Sequence, residues 1–143
     1  EVGLKGAKIS AFTLDPDCAI ATDVTIPGDH PGVTRKEASP EMGKGPVIVL
    51  VSAQGRGLMA DLRMADWLRA TGDRCKIPYQ LEVLEGGTTD ARAIQLTRSG
   101  VPAGCISIPC RYIHSPTEMV DLRDVHQAVD LLLELVQSEV ILD

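Results

Sequence analysis

Residues 108–124, IPCRYIHSPTEMVDLRD, decide how the chain is read. The small and branched apolar residues leading into them, 104–108, read as a buried strand. Pro109 ends it, and His114 follows on a short loop before a helix starts near Asp121. An imidazole is thereby delivered beyond the end of a strand. In open α/β sheets the crevice outside the carboxyl ends of the strands is where ligands and reactive groups gather. His114 is therefore a candidate metal ligand or base, and the competing reading is a loop histidine satisfied by a hydrogen bond.

Working outward, 143 residues with 44% hydrophobic and 24% charged content suit one globular domain with an adequate core. The net charge of −6 and the absence of a Lys/Arg cluster argue against nucleic acid or an anionic membrane as partner, leaving a small molecule or a peptide. The longest apolar runs, 47–51 and 131–136, are too short to span a bilayer, and nothing resembles a signal peptide. Cys18, Cys75, Cys105 and Cys110 form no CxxC pair and no zinc-finger spacing, so they read as reduced thiols of a cytoplasmic protein. The chain opens at Glu1 without a methionine. EVGLKGAKISAFTL reads as a helix already under way, with Val2, Leu4, Ile9 and Phe12 distributed around it and no cap in front, as if cut from something longer.

Pro16 and Asp17 break that helix, and 18–26 (CAIATDVTI) is a near-continuous apolar run with strand character, interrupted by Asp23. A carboxylate inside such a run is costly to bury unless paired, hydrogen-bonded or metal-bound; otherwise it lies at the strand's end and faces water. Residues 27–46 carry four prolines and four glycines and read as a long irregular connection, in which His30 is a solvated loop residue. Residues 47–52 (VIVLVS) form the clearest buried strand. A helix over 57–71 follows, with Leu58, Leu62, Ala65 and Leu68 on its core face and Gly72 ending it. Next come a strand at 79–84, a helix from Thr88 or Thr89 to Ser99, the strand at 104–108, and a helix over 121–138. The inner face of that last helix is formed by Val125, Val129, Leu132, Leu133 and Val136. This order predicts a three-layer α/β/α domain with a mostly parallel sheet, helices on both faces, and 47–52 and 105–108 in the centre.

The turn EGGTTDA, 85–91, carries glycines into a helix start but lacks the lysine of a P-loop and the spacing of a dinucleotide fingerprint. It suits a carboxylate, such as a peptide terminus, or is simply a tight strand-to-helix turn. No GxSxG elbow occurs, and a Cys110–His114 pair lacks a third, orienting group.

Several motifs carry a resemblance over the whole chain, in order: EVGLKGA, ATDVT, MGKGPVI, EGGTTDARAIQLTRSGVP and ISIPCRYIHSPTEMVDLRDV. Together they resemble the C-terminal part of the catalytic domain of the tetrahedral (TET) aminopeptidases, the glutamyl-aminopeptidase and cellulase-like metallopeptidase family. The resemblance implies a zinc-exopeptidase-like α/β fold that is incomplete, with residues 1–143 lacking the N-terminal part and the inserted dimerisation domain. It implies two divalent metal ions, zinc or cobalt, that activate water and polarise the scissile carbonyl of a peptide. In that family a Glu-Glu pair precedes VGL, its first member the general base and its second a metal ligand, and Glu1 matches the second. Asp23 matches a ligand of the other metal, and His114 matches the histidine that shares a metal with Glu1. The general base, the bridging aspartate and the first histidine ligand would lie upstream of this sequence. Gly86, Gly87, Thr88 and Arg111 stand as candidates for substrate binding, and a dodecamer-type homo-oligomer is implied. The alternative to a piece of an aminopeptidase, inactive alone, is a non-catalytic α/β binding or assembly module of such an oligomer.

Overall fold

The computed structural model describes residues 3–34, 36–140 and 142. Among these, five strands and four α-helices alternate: α1 (Lys5–Leu14), β1 (Ala19–Thr25), β2 (Val47–Val51), α2 (Leu62–Cys75), β3 (Gln80–Val83), α3 (Asp90–Gln95), β4 (Ala103–Arg111), β5 (Met119–Val120) and α4 (Leu122–Gln137). The sheet runs β1-β4-β2-β3, with β5 paired to β4. As the sequence predicts, β2 and β4 are central, and Val47, Ile48, Cys105 and Ile106 are fully enclosed.

β1 lies parallel to β4 from Ala19↔Ala103 to Thr25↔Pro109, and β2 lies parallel to β3, so the sheet is mostly parallel. One central join is antiparallel: β2 meets β4 only at Val47↔Ser107 and Ile48↔Ile106. β2 therefore starts at the end of the sheet where β1 stops, and the irregular 27–46 connection spans the gap between them without crossing back along the sheet.

The helices cover both faces. α2 and α4 bury Met64, Trp67, Leu68, Ala128, Leu131 and Leu135 against Ile48 and Ile106. The opposite core is smaller, with Ala91 and Leu58 on Ala21, Val47, Val49, Ala103 and Cys105. α1 packs outside α3 and buries only Ala11, leaving Ile9 and Phe12 67% and 57% exposed.

Local differences from the sequence reading have physical causes. β4 does not stop at Pro109 but continues to Arg111; Pro109, which lacks an N–H, falls between Ser107, the last residue paired with β2, and Cys110, the first paired with β5. α2 begins at Leu62, behind an Asp61 cap that accepts the Arg63 N–H, and continues past Gly72 to Cys75. Gly72 serves packing instead of termination, since a Cβ there would sit 2.6 Å from Tyr79 Cδ1. α3 ends at Gln95, well before Ser99. α4 occupies the expected span, and of its expected inner face Leu132 packs against the core and Val125 is half-buried, but the fully buried side is the neighbouring one, with Asp124, Ala128, Leu131 and Leu135, while Val129, Leu133 and Val136 are exposed. Asp124 decides that rotation: its carboxylate accepts the Gly43 N–H at 2.6 Å and the Gly45 N–H at 2.8 Å, tying the loop to the helix. α1 starts at Lys5, and the part of the expected helix at Glu1 and Val2 lies outside the described residues.

Candidate active site

A cavity of about 540 Å3 opens beyond the C-terminal ends of β1 and β3 and beside the turn that follows β4. Asp23 and Thr25 reach it from β1, Gly86, Gly87, Thr88 and Thr89 from the β3–α3 turn, and Tyr112, Ile113 and His114 from the turn after β4. The candidates Asp23, His114, Gly86, Gly87 and Thr88, scattered in sequence, therefore face one space. Arg111 is not on that wall; its guanidinium is paired with Asp29, and its buried Nε has no hydrogen-bond partner among the described residues. Glu1 lies outside the described residues, but Gly3 and Leu4 line a smaller cavity of about 420 Å3 together with Asp23 and Thr88.

The two described metal-ligand candidates keep donor atoms available. Asp23 is exposed, and among the described residues one carboxylate oxygen accepts only the N–H of its neighbour Val24, at 2.8 Å. His114 is also exposed, and its backbone sits in the left-handed region with φ 64°. Its N–H donates to Glu118 Oε1 at 2.8 Å, which fixes the turn, while its ring makes no hydrogen bond among the described residues. Carboxylate oxygen and imidazole nitrogen are the donor types that zinc or cobalt takes. Among the described residues, no group of three His, Cys, Asp or Glu side chains gathers closely enough to hold a metal ion. The fit is therefore of two donors in one cavity wall, with further ligands still to be supplied.

Two features, one in the wall and one beside it, carry no signal in the sequence pattern. His30 is half-buried instead of solvated: its ring stands edge-on to Tyr112 with centroids 5.0 Å apart, and Nδ1 is hydrogen-bonded to the Pro31 carbonyl at 2.8 Å. With the Asp29–Arg111 ion pair, this contact clips the 27–46 loop to the turn that presents His114. The second feature is Glu82 on β3, only 1% exposed, whose Oε2 accepts the Thr25 hydroxyl at 2.7 Å. Its other oxygen is buried without a partner among the described residues, and burial pushes the carboxyl up to about 7. Thr25 lies two residues past Asp23, so this bond fastens the end of β1 that carries the candidate ligand. Burial pushes the neighbouring Cys105 thiol up to about 11.

A predominantly parallel sheet with helices on both faces defines an α/β domain, and an oxygen and a nitrogen donor in a cleft past the strand ends make that cleft its candidate ligand site. The chain belongs to the M42 glutamyl aminopeptidase family, matched over residues 1–131. A solved aminopeptidase from the archaeon Desulfurococcus kamchatkensis is 48% identical and superposes with a TM-score of 0.92 over 97% of this chain and 39% of that one. The Pyrococcus horikoshii TET1 peptidase, described as assembling into a tetrahedron or a large octahedral shell, is 30% identical with a TM-score of 0.74, covering 94% of this chain and 37% of its own. A lysyl aminopeptidase of Pyrococcus furiosus is 35% identical over 96% of this chain and 38% of its length. The chain thus spans well under half the length of these relatives.

Proposed function

We propose that the chain is the C-terminal part of the catalytic domain of a dinuclear metallo-aminopeptidase, which removes N-terminal residues from peptides. The observation that carries this reading is that Asp23, from β1, and His114, from the turn after β4, open into the same cavity. In this reading Asp23 holds one of two divalent metal ions, zinc or cobalt, while His114 and Glu1 hold the other. Such a pair supplies an activated water and polarises the scissile carbonyl. The chain's own part is to present these donors on a rigid sheet edge. The Glu118 bond to the His114 N–H and the Glu82 bond to Thr25 hold the two presenting segments in place. Gly86, Gly87 and Thr88 shape the wall along which a peptide lies.

The general base and remaining ligands are assigned to the part of the relatives that this chain does not span, so the 143 residues alone are inactive in this reading. The solved relative's description as a tetrahedral or octahedral assembly supports a large homo-oligomer. No described helix is long and apolar enough to cross a membrane, and four unpaired cysteines suit the reducing cytoplasm. The test is hydrolysis of an aminoacyl-nitroanilide by the full-length protein loaded with zinc or cobalt. Undiminished turnover by its His114→Ala variant would show that the metals are held elsewhere.

A further inference from the structure

The turn that presents His114 is not held by burial. It joins β4 to the two-residue β5, and Tyr112, His114, Pro116, Thr117 and Glu118 are exposed. Its backbone is also strained: Tyr112 and His114, with φ 59° and 64°, both take the left-handed conformation that a Cβ disfavours. Bonds within the turn oppose this in part, the Ser115 N–H donating to the Tyr112 carbonyl at 3.1 Å and the His114 N–H to Glu118. Two further contacts arrive from the 27–46 loop. Asp29 pairs with Arg111, the last residue of β4, through side chains 34% and 27% exposed, so water and salt weaken the attraction less than at a bare surface. His30 sets its ring edge-on to Tyr112. The loop is itself a firm support. Pro40 accepts the Gly28 N–H at 2.7 Å just ahead of Asp29, the Gln80 side chain on β3 donates to the Glu41 and Gly45 carbonyls at 2.9 Å each, and Asp124 on α4 holds the far end.

We propose that Asp29, His30 and Arg111 are positioning residues that brace this turn, so that the 27–46 loop sets how tightly the metal at His114 is held. The inference rests on the aminopeptidase reading above and adds a control on one of its two metals. Strained backbone persists where surrounding contacts over-determine it, and such places cluster at functional sites. With the brace removed, the turn relaxes toward conformers that no longer aim the imidazole. Apparent metal affinity then falls in proportion to the fraction of chains whose turn stays competent. Asp23 is anchored differently. It sits within the β1–β4 ladder, opposite Ser107, and is held there by strand pairing instead of by the loop. The two donors are thus fixed by separate devices, and loosening the brace weakens one metal while sparing the other. Arg111 acquires a role other than substrate contact, because its guanidinium is engaged by Asp29.

The experiment titrates cobalt into the metal-free full-length protein and resolves the two binding steps by visible absorption and calorimetry, with His114→Ala marking the step that belongs to His114. Asp29→Ala, His30→Leu and Arg111→Met should each weaken that step about tenfold and leave the other within about twofold of the parent. At limiting cobalt kcat on leucyl-p-nitroanilide should fall in these variants with KM unchanged, whereas an Arg111 that touched substrate would raise KM. Circular dichroism checks the fold, and since Asp29 is exposed its variant carries the test if Arg111→Met does not fold. An unmoved His114 step, equal weakening of both steps, or a raised KM with both steps intact overturns the inference and leaves the aminopeptidase reading standing. A parent protein that takes up no cobalt and hydrolyses no nitroanilide removes that reading, and this inference with it.

Discussion

Replacing Glu82 with glutamine keeps the shape of the side chain and removes its charge. The carboxyl is buried, accepts one bond from Thr25 and is raised by burial from 4.5 to about 7. In the unfolded chain this group loses its proton near pH 4.5, whereas in the folded chain it keeps it until about 7. The folded state therefore binds more protons across that window, and stability is fully present below the lower value and lost as pH rises through the upper one. About 2.5 units at 1.36 kcal/mol each make the loss about 3 kcal/mol. Glutamine stays neutral throughout, and its extra buried N–H2 adds a cost that does not vary with pH. The stability difference between Glu82→Gln and the parent should consequently move by about 3 kcal/mol in favour of the variant between pH 4.5 and pH 8. Urea unfolding of the 143-residue chain at the two pH values measures it. Trp67, the single tryptophan, lies in the larger core and reports the transition by fluorescence. Parallel pH profiles, differing by less than about 0.5 kcal/mol, would refute the claim that burial holds this carboxyl neutral.

Other expectations follow from particular contacts. In the full-length protein His114→Ala should abolish nitroanilide hydrolysis while leaving the far-ultraviolet dichroism unchanged, because the ring is exposed and, among the described residues, makes no hydrogen bond of its own. The 143-residue chain alone should bind zinc weakly in calorimetry and release no nitroaniline, since loss of a general base alone costs about 10²–10⁴ in rate. Asp124→Ala should lower stability by about 3–5 kcal/mol in urea unfolding, because it strands the Gly43 and Gly45 N–H groups. Gly45→Ala should cost at least about 2 kcal/mol by the same measurement, for its φ is 101° and a Cβ would fall 2.4 Å from the Pro78 carbonyl oxygen.

What could be read from the sequence was what local chemistry controls. The strands around Val47 and Ile106 declare themselves by branched apolar runs, and their central place follows from having no polar face. The inward face of α4 could not be read in this way. Leucine and valine occur on several of its sides, and the choice among them is made by Asp124, whose partners Gly43 and Gly45 lie some 80 residues away. The antiparallel join of β2 to β4 was equally hidden, because a twenty-residue irregular connection leaves the direction of re-entry open. At the site, Asp23 and His114 stood out as a charge in an apolar strand and a histidine at a strand end. Glu37 and His30 did not, since a Pro- and Gly-rich loop has no periodicity from which to infer which side chains face inward.

The uneven cover of the two sheet faces bears on hydrogen exchange. α1 is attached mainly through the six-residue α3 and contributes a single buried side chain, so its amides should exchange through local opening far cheaper than unfolding of the whole domain. Amides of Val47, Ile48 and Ile106, enclosed between two helical layers, should exchange only when the sheet itself comes apart. Gly3 and Leu4, just ahead of α1, share the smaller cavity with Asp23, so each such opening also removes one wall beside that carboxylate.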